Sequence, residues 1–369
     1  MALAGSKRGG GASGRQTKGA SRTRVKTAEV LVFTRQLSTI VNAGLPLLQG
    51  LDILAEQTED VRFKNVISQL STDVEGGESF SDALRKHPRA YPDLYVSMVR
   101  AGEASGNLDG VLLQLADYME AMEDLKRRIK SAMTYPVVAF SMILLIAGGL
   151  IVWVVPQFGE IFSSFDAQLP APTRILIAIS EVLRSPMAFV VLGAFIAVVF
   201  VARMYAQTPA GRYQFDSMKL RLPVFGKLLR KVAISRFART LSTLTRSGVA
   251  ILGALEIVER TAGNEVFARA VEKAGDSVRG GETLADPLAR SGEFPAIVTR
   301  MIGVGEKTGA LEQMLNKISD FYDSEVKATI DGLTSLIEPI LILMMGIVVG
   351  GIVVALFLPI LQLSSLVQQ

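Results

Sequence analysis

Two long stretches without charge constrain this sequence more than any other feature. No residue from 131 to 159 is charged, and no charge follows Glu338 to the end of the chain. Roughly 20 apolar residues suffice for a helix to cross a bilayer, and such uncharged runs are rare in soluble folds. The sequence therefore predicts transmembrane helices over 137–156 and 339–361. A third apolar run, 185–203, is close to the lower length limit and predicts one more.

Lysine and arginine are distributed unevenly around these three segments. They cluster before the first and after the second, whereas 157–184 contains only Arg174 and Arg184, and 362–369 contains none. Loops rich in Lys and Arg stay in the cytoplasm. We therefore expect a cytoplasmic N-terminus, a periplasmic loop over 157–184 and a periplasmic tail over 362–369.

The first 28 residues form a distinct segment. They are rich in Gly, Ser, Ala and Thr, and they carry seven Lys/Arg and no acid. This composition cannot bury a core, and it lacks the apolar run of a signal peptide. The sequence predicts a disordered basic tail over 1–28. Such a tail can contact anionic lipid or nucleic acid, but a solvated tail is the favoured interpretation.

The two polar regions of the chain match each other. Phe33-Thr-Arg-Gln-Leu-Ser-Thr aligns with Phe237-Ala-Arg-Thr-Leu-Ser-Thr at a shift of 204, and one deletion near position 90 changes the shift to 203. The alignment indicates a tandem duplication of one module that ends in a spanning helix. The paired positions include Gly44 with Gly248, Gly102 with Gly305, Glu103 with Glu306, Gly106 with Gly309, and Pro136 with Pro339. We expect Pro136 and Pro339 to open the first and last spanning helices, each in a first helical turn, and Pro156 to end the first span.

Apolar residues recur at helical spacing in both copies, so each copy is predicted to contain five or six helices. Ser79 and Thr283 each fit a capping box. We expect Gly102 and Gly106 to bracket a turn, as do their counterparts. The predicted fold is an all-α membrane protein with three transmembrane helices and two duplicated cytoplasmic helical-bundle domains. The domains span 29–136 and 237–338, and 204–236 is a cytoplasmic linker.

Few residues offer catalytic chemistry. The chain has no cysteine and one histidine, His87, which excludes disulfides and three-histidine zinc sites. We expect His87 to be an exposed residue at a helix end. Segment 303–309 resembles a scrambled phosphate loop, but Glu306 separates Gly305 from Lys307, so nucleotide binding is not predicted.

Two features leave alternatives open. Glu103 and Glu306 occupy the same acidic position in both copies, where a metal or partner contact competes with a local cap or ion pair; the local role is favoured. In the last span, Gly346 and Gly350 form a small-xxx-small pattern that lets helices approach closely. The competing interpretation for this pair is a lipid-facing surface without a packing role.

The duplicated block resembles the type II secretion system F family, which includes inner-membrane platform proteins of type II secretion and of type IV pilus assembly. The resemblance covers about 30–363. Its matching motifs are Phe33-Thr-Arg-Gln-Leu, Gly76-Gly-Glu-Ser-Phe, Val99-Arg-Ala-Gly102-Glu-Ala-Ser-Gly106-Asn-Leu108, Tyr135-Pro136, Val155-Pro156-Gln-Phe158, Leu336-Ile-Glu338-Pro339 and Leu358-Pro359-Ile360. Leu115-Ala-Asp-Tyr118 is similar to the secretion branch, whereas the stretch from Asp320 to Pro359 is more similar to the pilus branch, which we favour.

The resemblance implies a non-catalytic platform, without cofactor, in the bacterial inner membrane. Such a platform couples a cytoplasmic hexameric assembly ATPase to pilin or pseudopilin subunits that enter a filament. The resemblance further implies contact with inner-membrane alignment proteins, a homo-oligomer, and no nucleic-acid partner. Besides the paired glycines and glutamates, the candidate interaction or structural residues are Tyr135, Pro136, Glu338 and Pro339. A small-solute channel or transporter is the alternative function.

Overall fold

All regular structure in the described part of the chain, residues 25–163, 170–223 and 225–366 of the computed structural model, is helical. The first copy of the module contains α1 (Thr27–Asn42), α2 (Leu47–Gln57), α3 (Val61–Glu75), α4 (Phe80–Arg85), α5 (Asp93–Ser105) and α6 (Leu108–Gly149). Between the copies lie a π-helical segment (Leu150–Val154), α7 (Val155–Ser163), α8 (Ala171–Arg184), α9 (Met187–Tyr205) and α10 (Pro209–Arg221). The second copy contains α11 (Phe225–Arg246), α12 (Ile251–Thr261), α13 (Glu265–Arg279), α14 (Ala285–Ser291), α15 (Ala296–Thr308) and α16 (Leu311–Leu366).

The duplication is confirmed helix by helix. Each copy contains six helices, within the predicted range. Helices α2 and α12 begin at Leu47 and Ile251, 204 residues apart, whereas α6 and α16 begin at Leu108 and Leu311, 203 apart. The single deletion therefore lies between α3 and α5. Most of the tail predicted over 1–28 lies outside the described residues, and helix α1 begins within it at Thr27.

A buried aromatic cluster lies at the centre of each copy. In the first, the ring centroid of Phe33 lies 5.5 Å from that of Phe63 and 6.2 Å from that of Tyr91. Ring centroids lie 4.8 and 5.3 Å apart in the equivalent cluster of Phe237, Phe267 and Phe294. Burying one such ring contributes about 1.5–3 kcal/mol, and an edge-on pair adds about 0.5–1.5 kcal/mol. These rings join the first and third helices of each copy to the segment before the fifth.

The described chain divides into two compact units. The domain unit comprises 25–125 and 233–322, so it holds the short helices of both copies. The membrane unit comprises 126–232 and 323–366. Within the domain unit the copies contact each other, and the Tyr118 hydroxyl lies 3.2 Å from the hydroxyl of Thr240. Burial raises the pKa of Tyr118.

Among the described residues, three helical stretches are long and apolar enough to cross a membrane, which confirms the predicted number. They are 108–160, 187–205 and 311–358. The first and third include α6 and α16, the last helices of the two copies. Each module therefore ends in a helix that begins among the short helices and continues into an apolar span.

The expectation that Pro136 and Pro339 open their spans was wrong in one respect. Both lie in the interior of a continuous helix, α6 and α16 respectively, rather than in a first turn. Since proline has no N–H, the backbone carbonyls of Ala132 and Ser335 lose their helical donor there. The apolar stretch that follows each proline outweighs that cost, because a helix in lipid must pair all its other backbone groups.

Pro156 does not end the first span either. The helix widens into the π-helical segment, where the Val155 N–H bonds to the Leu150 carbonyl, and then continues as α7. The π turn lies directly before the proline that lacks a donor. A Cβ on Gly149 would make only an ordinary van der Waals contact with the Trp153 ring, at 3.5 Å. Single π turns of this kind interrupt α-helices at strained positions.

Three segments expected to be a loop, a linker and a tail are largely helical in their described residues. Helices α7 and α8 occupy much of the predicted loop 157–184, and within the membrane unit the Thr173 hydroxyl donates to the Ala355 carbonyl at 2.5 Å. Thr173 and Ser180 are buried seven residues apart on one face of α8. The predicted linker 204–236 contains α10 and the start of α11. The predicted tail 362–369 is helical as far as Leu366.

His87 is buried, which corrects the expectation of an exposed side chain. It retains 5% of its surface, and its Nδ1 is buried without a hydrogen-bond partner. The chain turns back directly after α4, because the N–H groups of Ala90 and Tyr91 both bond to the His87 carbonyl at 3.0 Å. Burial lowers the pKa of His87 below its ordinary value, opposed by the charge of Asp73 and assisted by that of Lys86.

The lowered pKa of His87 predicts a loss of stability in mild acid. Below its ordinary value of 6.5, the unfolded chain takes up the proton before the folded chain does, so the free energy of unfolding falls. We expect the full-length protein in detergent to melt at a lower temperature at about pH 5.5 than at about pH 7.5. Because the chain has one histidine, His87→Gln should show a smaller decrease. An equal decrease in both proteins would contradict this assignment.

Candidate functional site

Glu103 forms a cap between two helices of the first copy. Its carboxylate, on α5, accepts the backbone N–H of Phe80 at 2.5 Å and that of Ser81 at 3.1 Å. These N–H groups belong to the first turn of α4, where no carbonyl within the helix can receive them. The Ser79 hydroxyl accepts a third, from Asp82, at 3.2 Å. Together the two side chains pair the free donors of a six-residue helix.

Glu306 repeats this arrangement in the second copy. Its carboxylate, on α15, accepts the N–H of Leu284 at 2.5 Å and that of Ala285 at 3.1 Å. The Thr283 hydroxyl instead donates to Asp286 at 2.9 Å, so the second capping box differs from the first. Of the interpretations left open by the sequence, the geometry favours the local cap. The described residues contain no group of three or more His, Asp or Glu that could hold a metal ion.

The glycines beside these glutamates serve two different purposes. Gly102 and Gly305 lie within α5 and α15, so the expectation that they bracket a turn was wrong. A Cβ on Gly102 would lie 3.0 Å from Val111, and one on Gly305 would lie 2.8 Å from the Leu311 Cα. Either contact would force the helices apart, so both glycines permit close packing of α5 on α6 and of α15 on α16.

The turn itself falls on the second glycine of each pair. Gly106 and Gly309 both have a φ of +70°, which side chains with a Cβ rarely adopt. After Gly106, the Asn107 N–H bonds to the Gly102 carbonyl at 2.9 Å and closes the end of α5. Gly44 and Gly248 play the same part after α1 and α11, with φ values of +83° and +79°.

Segment 303–309, which resembles a phosphate loop in sequence, is helical through Thr308. Its backbone N–H groups therefore belong to the hydrogen-bond ladder of α15, and only Gly309 lies outside it. That this segment does not bind a nucleotide stays a prediction.

A cavity in the membrane unit lies between α6 and α16, and its lining residues on these helices end four positions before Pro136 and Pro339. The cavity, of about 590 Å³, is lined on the α6 side by Arg127, Arg128, Ser131 and Ala132, and on the α16 side by Lys327, Ile330, Asp331, Thr334 and Ser335. A smaller apolar crevice adjoins it. Its walls are Ile129, Ala132, Met133, Phe225, Leu228, Ile330, Leu333, Thr334 and Ile337.

The side chains beside these prolines are open to the surroundings. Tyr135 is 56% exposed, and Glu338 is exposed as well. Next to the crevice, Lys231 of α11 donates to Glu325 at 2.7 Å and to Thr329 at 2.9 Å. These hydrogen bonds join α11 to α16 at positions before Pro339. Tyr135 and Glu338 stay candidate contact residues.

Gly346 and Gly350 have open space around them. Among the described residues, no atom outside the helix itself lies within 4 Å of a Cβ built on either glycine. No helix of the same chain therefore packs on this face at these positions. The packing role of Gly346 and Gly350 stays a prediction about a neighbouring molecule.

Sequence reasoning missed the aromatic clusters and the contact of α8 with α16. The repeat alignment already contained the signal for the clusters, since Phe63 pairs with Phe267 and Tyr91 with Phe294 at the same shifts. The α8 contact had a weaker signal. Thr173 and Ser180 lie one heptad apart among apolar residues, but nothing local marks their partner Ala355.

Comparison with known proteins adds a family match along both copies. The family model "Type II secretion system (T2SS), protein F" matches residues 33–156 and 237–359. The first match ends at Pro156 and the second at Pro359, the equivalent position. Each match therefore covers one copy of the module together with its apolar span.

Individual relatives cover nearly the whole chain. The type IV pilus assembly protein PilC of Myxococcus xanthus is 44% identical over 93% of this chain and 82% of its own length. That of Thermus thermophilus is 46% identical over 91% of this chain and 82% of its own length. The type II secretion system protein F of Pseudomonas aeruginosa is 37% identical over 92% of this chain and 84% of its own length. This chain belongs to the type II secretion system protein F family, as a multi-pass membrane protein made of two copies of the family's module.

Proposed function

We propose that this chain is the non-catalytic platform of a type IV pilus or type II secretion machine in the bacterial inner membrane. In this role it couples a cytoplasmic hexameric assembly ATPase to the insertion of pilin or pseudopilin subunits into a filament. Membership of the family along both copies carries the proposal. The pilus machine is favoured, because relatives named for pilus assembly are 36–46% identical and relatives named for secretion are 33–37% identical.

The proposal places the domain unit in the cytoplasm, where an ATPase can reach it. The asymmetry of Lys and Arg around the spans supports this orientation, with the N-terminus inside and the C-terminus in the periplasm. The spans then supply the surface that membrane-embedded pilin subunits and inner-membrane alignment proteins meet. Many large apolar side chains of the spans, such as Phe189 at 79% exposure, are uncovered by the chain itself.

Helices α6 and α16 are the parts that can transmit motion in this scheme. Each carries an interior proline at the start of its apolar segment. Hydroxyls just before the prolines bond back to the helix, as Thr134 does to Lys130 and Ser335 to Asp331, at 2.9 and 3.0 Å. Such back-bonding and a missing proline donor both make a helix easier to bend. The neighbouring cavity leaves α6 and α16 room to do so.

A small-solute channel or transporter is the alternative function. Transport paths usually place ionisable or polar groups at membrane depth, whereas segments 137–155 and 339–361 carry no ionisable residue. The proposal therefore assigns the spans to packing against partners rather than to a solute path. Solute or ion flux through the purified, reconstituted chain would support the alternative.

The orientation can be tested with single cysteines, since the native chain has none. Ser68→Cys and Lys273→Cys place thiols on exposed residues of α3 and α13, and Ala167→Cys places one outside the described residues. An impermeant thiol reagent applied from the periplasm should label Ala167→Cys alone. In permeabilised cells, all three should react. Labelling of Lys273→Cys in intact cells would contradict the proposed orientation.

The prolines can be tested by replacing each with alanine. Pro136→Ala and Pro339→Ala restore a backbone donor and stiffen the helix, so we expect inserted, folded protein with impaired filament assembly. The double variant should assemble the fewest surface filaments. Pro186→Ala, directly before α9, is the matched control and should assemble normally. Normal assembly by the double variant would contradict a bending role for these residues.

The glutamate caps can be separated from a docking role by charge removal. Glu103→Gln and Glu306→Gln each weaken two bonds to backbone N–H groups, so each should lower the free energy of unfolding by about 1–2 kcal/mol. The control Glu78→Gln loses only a surface ion pair with Lys86, which contributes about 0–1 kcal/mol. ATPase binding to membranes carrying the double variant should be unchanged at low salt. A weakened, salt-dependent affinity would instead make these residues part of the docking surface.

A further inference from the structure

We propose that the contact between the two copies within one chain is repeated between neighbouring chains. The second copy of one molecule would present its α16 face to the α1 face of the first copy of the next. The α16 face is defined by Lys317 and Phe321, and the α1 face by Val32, Gln36, Thr39 and Ala43, all of them exposed. The proposal does not depend on the function proposed above.

The contact within the chain has two different sides. The first copy contributes α5 and α6, and the second contributes α11 and α12. Tyr118 lies 3.2 Å from Thr240, the Ser247 hydroxyl donates to the Gln114 amide oxygen at 2.9 Å, and Arg260 donates to Asp93 at 2.7 Å. Because the two sides differ, the contact is heterologous. Using it once leaves one equivalent side unused on each copy.

The repeat alignment identifies those two unused sides. On the first side, Tyr118 corresponds to Phe321 and Gln114 to Lys317. Tyr118 is half-buried beside the contact, whereas Phe321, although it also packs edge-on against Tyr322, is 53% exposed. Gln114 is half-buried and Lys317 is exposed.

On the second side too, residues that are buried in the contact have exposed counterparts in the other copy. Thr240 and Ser247 are buried in the contact, with 0% and 7% of their surfaces exposed. Their counterparts in the first copy, Gln36 and Ala43, are both exposed. Arg236, which lies near Tyr118, corresponds to Val32, an aliphatic residue with 55% of its surface exposed.

The chemistry of the two faces suits a contact between them. If the contact within the chain is repeated between chains, Phe321 would contact Val32 and Gln36. These two residues stand at the positions of Arg236 and Thr240, which lie beside Tyr118 within the chain. An exposed phenylalanine thereby gains an aliphatic neighbour, and aromatic residues are enriched at such interfaces. The ion pair is not copied, because Ala296 and Glu56 stand at the positions of Asp93 and Arg260. The proposed contact therefore relies on apolar burial.

Lipid does not account for the exposure of Phe321. This residue lies 18 positions before Pro339, where the last apolar segment begins. At 1.5 Å per residue along α16, that is about 27 Å from the start of the span. A second copy of this chain is the occupant that the internal repeat specifies, since each molecule carries both complementary faces. Successive contacts would form a ring if they close and a longer array if they do not.

Disulfide crosslinking of the full-length protein in membranes tests the arrangement, because the chain has no native cysteine. Val32→Cys and Phe321→Cys in one chain should give a ladder of covalent multimers. A mixture of the two single variants should give a crosslinked dimer, while neither single variant should crosslink to itself. The matched control combines Phe321→Cys with Val61→Cys, an exposed residue of α3, and should not crosslink.

A charge variant provides a second measurement. Phe321→Glu should weaken self-association of the detergent-solubilised protein at least about tenfold, whereas Val61→Glu should leave it unchanged. Unaltered melting temperature would show that both variants fold. The proposal is overturned if the single-variant mixture fails to crosslink, if either single variant crosslinks to itself, or if Phe321→Glu keeps the native mass. If Phe321→Glu keeps the native mass and also loses ATPase binding, the α16 face binds the ATPase and not a second copy of the chain.

Discussion

A carboxylate that receives two backbone N–H groups fixes the least regular point of each module. Helices α4 and α14 are six and seven residues long, too short to be stable alone in water. Glu103 of α5 and Glu306 of α15 hold them, from at most 23 and 22 residues further along the chain. The residue before each glutamate is the glycine that lets the next helix pack closely. One turn of α5 thus positions both the short helix α4 and the long helix α6. One turn of α15 does the same for α14 and α16.

The features that follow from local pattern were predictable. Charge-free runs located the three spans, and the shift of 204 and then 203 located equivalent helices in both copies. Features set by distant residues were not. Glu103 has its partners more than twenty residues away, and the burial of His87 depends on a turn that carries no periodicity. Local rules also place proline at a helix start, so Pro136 and Pro339 were expected there. The need to pair the backbone in lipid keeps their helices continuous instead.

Duplication explains why the two copies are alike inside and different outside. Each retains its aromatic cluster, its glutamate cap and its close-packing glycine, because these hold one module together. Their surfaces have diverged, because each copy contacts the other through a different side. Tyr118 is half-buried beside that contact, while Phe321, its counterpart, is exposed. A tandem repeat with one internal heterologous contact therefore presents two different outer faces, one on each copy.

The central functional claim is that the domain unit meets an ATPase while the spans meet pilin subunits. Site-specific photocrosslinking in living cells tests it most directly. A photoreactive residue would replace exposed Val61 or Val304 in the domain unit, and exposed Phe189 or Ile347 in the spans. The account predicts ATPase adducts from at least one domain position and pilin adducts from at least one span position. Pilin adducts only from the domain unit, or no adduct with either partner from any position, would contradict it.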